Sequence, residues 1–133
     1  IFICNDWQTS FIPTLLQEHF KHEDFYSNMK SVYLIHSVNN YRKFSKSTYD
    51  MLGITPNESG KLVDNHIMAI ENSDLTIAIN YESSTLMGKM KKQKKLYETF
   101  NSHNSMIIDI PKKTNRDIWE NIANTIDSAC RKL

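Results

Sequence analysis

The sequence predicts an α/β domain, a parallel sheet of about four strands with helices on both faces. Two observations carry this expectation. Apolar runs of strand length recur at 1–4, 31–36, 75–79 and 105–110, and the segments between them place apolar residues at helical spacing. Strands alternating with helices favour right-handed crossovers, which lay successive strands parallel in one sheet. With 133 residues the chain can bury one core, so a single domain is expected over 1–133.

The first run, "IFIC", has no polar residue, the pattern of a strand buried on both faces. Asn5 and Asp6 follow as N-cap residues for a helix carrying Phe11, Ile12, Leu15, Leu16 and Phe20, with Pro13 separating or kinking its first turn. A polar linker over 22–30 leads to the second strand. Tyr49, Met51 and Leu52 predict a short helix closed by Gly53, and "TPNESG" is a loop. Val63, Ile67 and Ile70 predict the next helix, ahead of the third strand, "DLTIAI". Leu86, Met90, Tyr97 and Phe100 mark one long helix before the fourth strand. Thr114 then caps a final helix striped with Ile118, Ile122, Ile126, Ala129 and Leu133.

Composition narrows the function classes. Hydrophobic residues make up 40% and charged residues 23%, the balance of an ordinary soluble globular chain. A formal net charge of +1 creates no field that would favour nucleic acid or a membrane surface, so neither partner is expected. No apolar run approaches the ~20 residues of a membrane helix, and no signal peptide is visible. Cys4 and Cys130 read as small core residues in a reducing, cytoplasmic setting. Only 3 Gly and 3 Pro are present, few for a domain that cradles phosphates on glycine loops. The chain opens within a strand without methionine, as expected of an excerpt from a longer protein.

Several residues invite two readings. His36 ends the second strand, either as an ordinary strand terminator or as a side chain reaching into a site. Ligands of parallel sheets bind outside the carboxyl ends of strands, so Asp6 and His36 could face one crevice. Asp6 can also serve as an N-cap worth ~1 kcal/mol, and Trp7 is either a core anchor or a platform for a ring. His19 and His22 have metal-ligand spacing but no completing carboxylate or cysteine, so no metal is expected. Lys89, Lys91, Lys92, Lys94 and Lys95 wrap a helix as a solvated face, with Glu98 available to pair with Lys94 or Lys95.

The segments "CNDWQTSFIPTLLQE" and "SVYLIHSVNNYRKFSKSTYDMLGI" resemble the starch and glycogen synthases, nucleotide-sugar glucosyltransferases built from two Rossmann-like domains. Asp6, Trp7, Gln8 and Thr9 match the family's D-W-H/Q-T-A/S segment, and Ile35, His36 and Phe44 match I-H-N-x-x-Y-Q-G-x-F. "HIMAIENSDLTIAINYES" resembles K-A-G-I-x-x-A-D-x-V-x-T-V-S-P through Ile70 and Asp74. The resemblance covers 1 to about 82 and leaves 83–133 as a helix–strand–helix completion.

The departures matter too. Ser37 replaces the family's Asn, Asn40, Tyr41 and Arg42 replace Tyr-Gln-Gly, and Ile67, Met68 and Ala69 replace Lys-Ala-Gly. A lost glycine removes a backbone position free to take positive φ or admit a ligand closely.

The resemblance implies a Rossmann-like fold, half of a two-domain GT-B enzyme, that moves glucose from ADP- or UDP-glucose to an α-1,4-glucan. It implies that His36 and Asp6 are catalytic, the imidazole donating to a sugar hydroxyl and the carboxylate accepting from one. Trp7, Gln8, Asn40 and Tyr41 become the substrate-binding neighbours, with a glucan and the remaining domains of the parent protein as partners. The Lys-x-Gly-Gly-Leu loop and the donor-binding domain of such enzymes are missing from this sequence. Inactivity in isolation is therefore expected, in the cytoplasm or a plastid. Two rival readings stand beside it: a degenerate, non-catalytic carbohydrate- or protein-binding module, in effect a pseudoenzyme segment, and a flavodoxin-like nucleoside-processing or signalling domain.

Overall fold

The computed structural model describes residues 1–56 and 60–133. Four strands, β1 (Phe2–Asn5), β2 (Ser31–Ile35), β5 (Leu75–Tyr81) and β6 (Ser105–Ile110), form one sheet in the order β1-β2-β5-β6. All three pairings are parallel, with Cys4 opposite Tyr33, Leu34 opposite Ile77, and Ala78 opposite Ile107. The expected α/β class and all four expected strands are present.

Alternation along the strands sorts the core into two layers. Tyr33, Ile35 and Ala78 face α3 (Asn65–Asn72), α4 (Leu86–Lys91) and α5 (Lys94–Ser102), packing on Ile67, Ile70, Leu86, Met90, Leu96 and Phe100. Val32, Ile77, Ile79 and Ile108 face the other way, under Ile122, Ile126 and Ala129 of α6 (Arg116–Cys130). Helices therefore cover both faces. Cys4 is buried, which pushes its thiol up to about 11, and it and Cys130 are both unpaired.

The strand β1 departs from its sequence pattern. Ile1 and Ile3 are 59% and 58% exposed, and only Cys4 of the run is buried. As the edge strand it borders an open groove with Ala123, Ile126 and Cys130 of α6, whose apolar stripe centres over the inner strands.

Two further strands, β3 (Lys43–Ser45) and β4 (Leu62–Asp64), pair antiparallel in a small second sheet the sequence pattern did not reveal. Val63, expected to begin a helix, lies in β4 with Phe44 opposite. Its helix, α3, instead starts at Asn65, where the Asp64 side chain accepts from the His66 amide at 3.2 Å. The short helix α2 (Lys46–Met51) ends as expected at Gly53, whose φ of +67° suits glycine. The Ile54 amide donates to Tyr49 O at 3.0 Å and the Gly53 amide to Asp50 O at 3.1 Å, closing a Schellman turn. Of the expected "TPNESG" loop, 57–59 lie outside the described residues.

Three helix boundaries are corrected. After β1 the chain makes a separate 3-10 turn at Trp7–Thr9, then α1 (Phe11–Leu15), which continues as a π-helical turn over Leu16–Phe20. Pro13 falls in the first turn of α1, where its missing N–H has no helical partner to lose. The long helix expected over Leu86 to Phe100 is two helices, broken at Lys92 and Gln93. The cap of α6 is Asn115 rather than Thr114, its Oδ1 accepting from the Ile118 amide at 2.9 Å.

Candidate functional site

Parallel pairing puts the carboxyl ends of β1 and β2 side by side. The Asp6 amide donates to Leu34 O at 2.8 Å, so residue 6 emerges beside residue 36. Asp6 takes the N-cap position of the 3-10 turn without capping it: no side-chain cap bond forms, and its φ of 55° and ψ of −164° lie in a region favouring glycine. That backbone turns the carboxylate inward. Its Oδ2 accepts from Ser37 Oγ at 2.6 Å, its Oδ1 accepts from the His36 amide at 3.5 Å, and Oδ2 lies 3.4 Å from His36 Nδ1. Asp6 is 1% exposed, while the His36 side chain is 37% exposed. The carboxylate thus sits behind the imidazole. It has almost no surface to offer a ligand directly.

Below Asp6 lies a second histidine. His66, fully buried at the start of α3, places Nε2 3.0 Å from Ser37 O and 3.8 Å from Asp6 Oδ1, and Nδ1 2.6 Å from Tyr33 Oη. A carbonyl only accepts, so Nε2 carries the proton and donates to Ser37 O. Nδ1 then accepts from the tyrosine hydroxyl. Burial first, then the charges of Asp6 and Asp64, raises the Tyr33 hydroxyl well above its ordinary value and keeps it a donor. Burial likewise lowers the pKa of His66, with Arg42 acting in the same direction and Asp64 and Asp6 opposing.

An unfolded histidine titrates near about 6.5, and folded His66 titrates lower. Between those values the unfolded chain binds more protons, so stability is lost as pH falls below about 6.5, by up to about 1.4 kcal/mol per pH unit. Urea midpoints measured from pH 7.5 to 5 should fall less steeply in His66→Gln than in the wild type. Parallel slopes would show that His66 titrates normally.

The loop behind His36 is anchored by Arg42, 1% exposed. Its Nε donates to Asp64 Oδ2 at 2.8 Å, its Nη2 to Gln93 Oε1 at 3.1 Å, and its Nη1 to Asn39 O. The guanidinium thus ties the loop, the cap of α3 and the α4–α5 break together. Asn39 in turn donates from Nδ2 to Ser37 Oγ at 3.0 Å and accepts from the Tyr41 amide at 2.9 Å.

The remaining sequence-designated residues lie around this frame. Trp7 and Tyr41 stack with ring centroids 5.5 Å apart and an interplanar angle of 30°. Tyr41 is 70% exposed. Gln8 and Asn40 are exposed, and neither belongs to the network around Asp6. His19 Nε2 donates to Leu52 O at 3.1 Å. The lysines of α4 and α5 are exposed, with Lys94 3.9 Å from Glu98. His66, Arg42, Asp64 and Gln93 were missed by sequence reasoning. The available signal was a histidine heading the otherwise apolar run "HIMAI", a polar group that burial obliges to find partners.

Similarity to known proteins covers the residues of this site. A model of the starch synthase catalytic domain matches residues 1–102. The glycogen synthase of Desulforudis audaxviator is 39% identical over 51 residues, 38% of this chain and 10% of that protein. That of Caldicellulosiruptor bescii is 40% identical over 55 residues, 41% of this chain and 12% of the relative. That of Clostridium beijerinckii is 53% identical over 36 residues, 26% and 8% of the two chains. The matched segments therefore span about a tenth of these relatives' lengths.

Proposed function

We propose that this chain, which belongs to the family of starch synthase catalytic domains, is the acceptor-side Rossmann-like unit of a glucosyltransferase. The parent enzyme moves glucose from ADP- or UDP-glucose to an α-1,4-glucan. The supporting observation is the half-exposed His36 imidazole at the carboxyl edge of the sheet, backed at 3.4 Å by a buried carboxylate. With Nδ1 turned to Asp6, Nε2 is the nitrogen left to address a sugar hydroxyl, and the Trp7–Tyr41 pair supplies an aromatic wall nearby. Glycosyl transfer passes through a cationic, oxocarbenium-like state, which such fixed polar groups orient and stabilise. Asp6 acts through His36, as a positioning residue. The partners are the glucan and the other domains of the parent protein, and the compartment is the cytoplasm or a plastid. Among the described residues no helix is long and apolar enough to cross a membrane.

Transfer needs a donor held against the acceptor, and on this reading another domain of the parent protein holds it. The purified chain is expected to be retarded in gels containing glycogen yet to move no radiolabelled glucose from ADP- or UDP-glucose onto it. Turnover above a mock preparation would refute the assignment of the donor site to another domain. Unretarded migration, alone and with maltooligosaccharides, would refute the acceptor role.

A second reading has one observation in its favour. Arg42 occupies the place of the glycine in the resembled motif, and its guanidinium fills the space beneath the loop. A non-catalytic carbohydrate-binding module would tolerate that change. Retention without turnover in the complete protein would select it.

A further inference from the structure

We propose that His66 is a positioning residue for His36: by holding the Ser37 peptide it keeps the Asp6 carboxylate beneath the imidazole. This rests on the reading of His36 as the sugar-facing group. Five contacts carry it. Ser37 is gripped twice, its carbonyl by His66 Nε2 at 3.0 Å and its hydroxyl by Asp6 Oδ2 at 2.6 Å. Asp6 lies between two imidazoles, with Oδ2 3.4 Å from His36 Nδ1 and Oδ1 3.8 Å from His66 Nε2. His66 is itself fixed from behind by Tyr33 Oη at 2.6 Å, from the middle of the neighbouring strand.

The chain of dependence runs from the core outward. Tyr33 is buried, as are residues 65–70 of α3. Between them His66 has its two nitrogens assigned, one accepting and one donating. The donated proton pins the Ser37 carbonyl, in the Ser37–Val38 peptide, at a point where the backbone has left β2. Without that donor the Ser37 peptide is free to turn. The hydroxyl and the His36 amide then lose their common aim at Asp6, whose own backbone is strained and relies on those bonds. A carboxylate oxygen 3.4 Å away favours a proton on His36 Nδ1 and so presents Nε2 as an acceptor in the neutral ring. The state of His36 is therefore a report on whether Asp6 is in place.

The test uses nitrogen-15 NMR of the histidine rings in the full chain at about pH 8, above the ordinary histidine range of about 6.5. In the wild type, His66 is expected as the Nε2–H tautomer and neutral His36 as Nδ1–H. His66→Gln, whose amide reaches the Nε2 position, should keep the Nδ1–H signature of His36. His66→Asn, whose shorter amide reaches only the Nδ1 position, should lose it and return His36 to the Nε2–H form. Equal behaviour of His36 in the two variants would overturn the proposal, leaving His66 a purely structural residue. Should neither variant fold, the wild-type spectrum still decides: an Nδ1–H form for His66, or Nε2–H for His36, overturns it. No sugar enters this experiment. Failure of glycogen retardation with the signature intact would therefore count against the acceptor reading alone.

Discussion

Replacing Arg42 by alanine is expected to destabilise the chain by about 3–5 kcal/mol, the cost of breaking a buried ion pair by removing one partner. The Asp64 carboxylate, 11% exposed, would keep its charge without the guanidinium 2.8 Å away. Asn39 O and Gln93 Oε1 would lose a donor at the same time. Restoring the motif's glycine at this position should cost as much, since it also leaves Asp64 behind. Removing both charges, in Arg42→Ala with Asp64→Asn, should cost clearly less than the sum of the single changes, because the carboxylate that the guanidinium balances is then gone too. Urea denaturation of the four proteins measures the cycle. A loss below about 1 kcal/mol in Arg42→Ala would mean that water or a neighbour replaces the guanidinium at Asp64.

The second large effect concerns turnover rather than stability. In the complete synthase proposed above, His36→Ala should lower kcat by about 10²-fold or more, the order expected for one polar group acting on a transition state. Folding stability should change by no more than ~1 kcal/mol, because the half-exposed ring contributes little packing. Asp6→Asn should reproduce part of the loss, since an amide can accept from Ser37 but carries no charge to hold the imidazole. A variant that keeps its turnover while melting many degrees lower would make His36 structural.

Much of the scaffold was legible because buried strands write themselves as apolar runs. The edge position of β1 was not: "IFIC" reads the same whether a second helix covers it or not. The strands "KFS" and "LVD" are too short to show alternation and exist through each other. The break between α4 and α5 has no glycine or proline at Lys92 and Gln93. It is a tertiary effect, Gln93 being bound by Arg42 from 51 residues away.

At the site, the meeting of Asp6 and His36 was readable from two strands ending in polar residues. Their unequal exposure was not, since it depends on the backbone turning at residue 6. His66 had no reading of its own inside the expected helix, because Tyr33 and Ser37, the partners that define it, lie about thirty residues back in the chain. Arg42 looked like a missing glycine. Sequence spacing does not reveal that a cation at that place finds Asp64 across the small sheet.

At Asp6 the backbone and the side chain ask for different residues. A φ of 55° asks for glycine, and relieving it is worth of order 1–3 kcal/mol. The carboxylate answers the partly buried His36 amide and Ser37 hydroxyl, and each buried donor left unmet costs up to about 1–3 kcal/mol. Relief of the strain offsets part of that cost. A heat-tolerance screen thus under-reports glycine at this position, where the substitution dismantles the arrangement around His36. Along such a path of sequence drift the site is lost faster than the fold, and melting temperatures understate the damage.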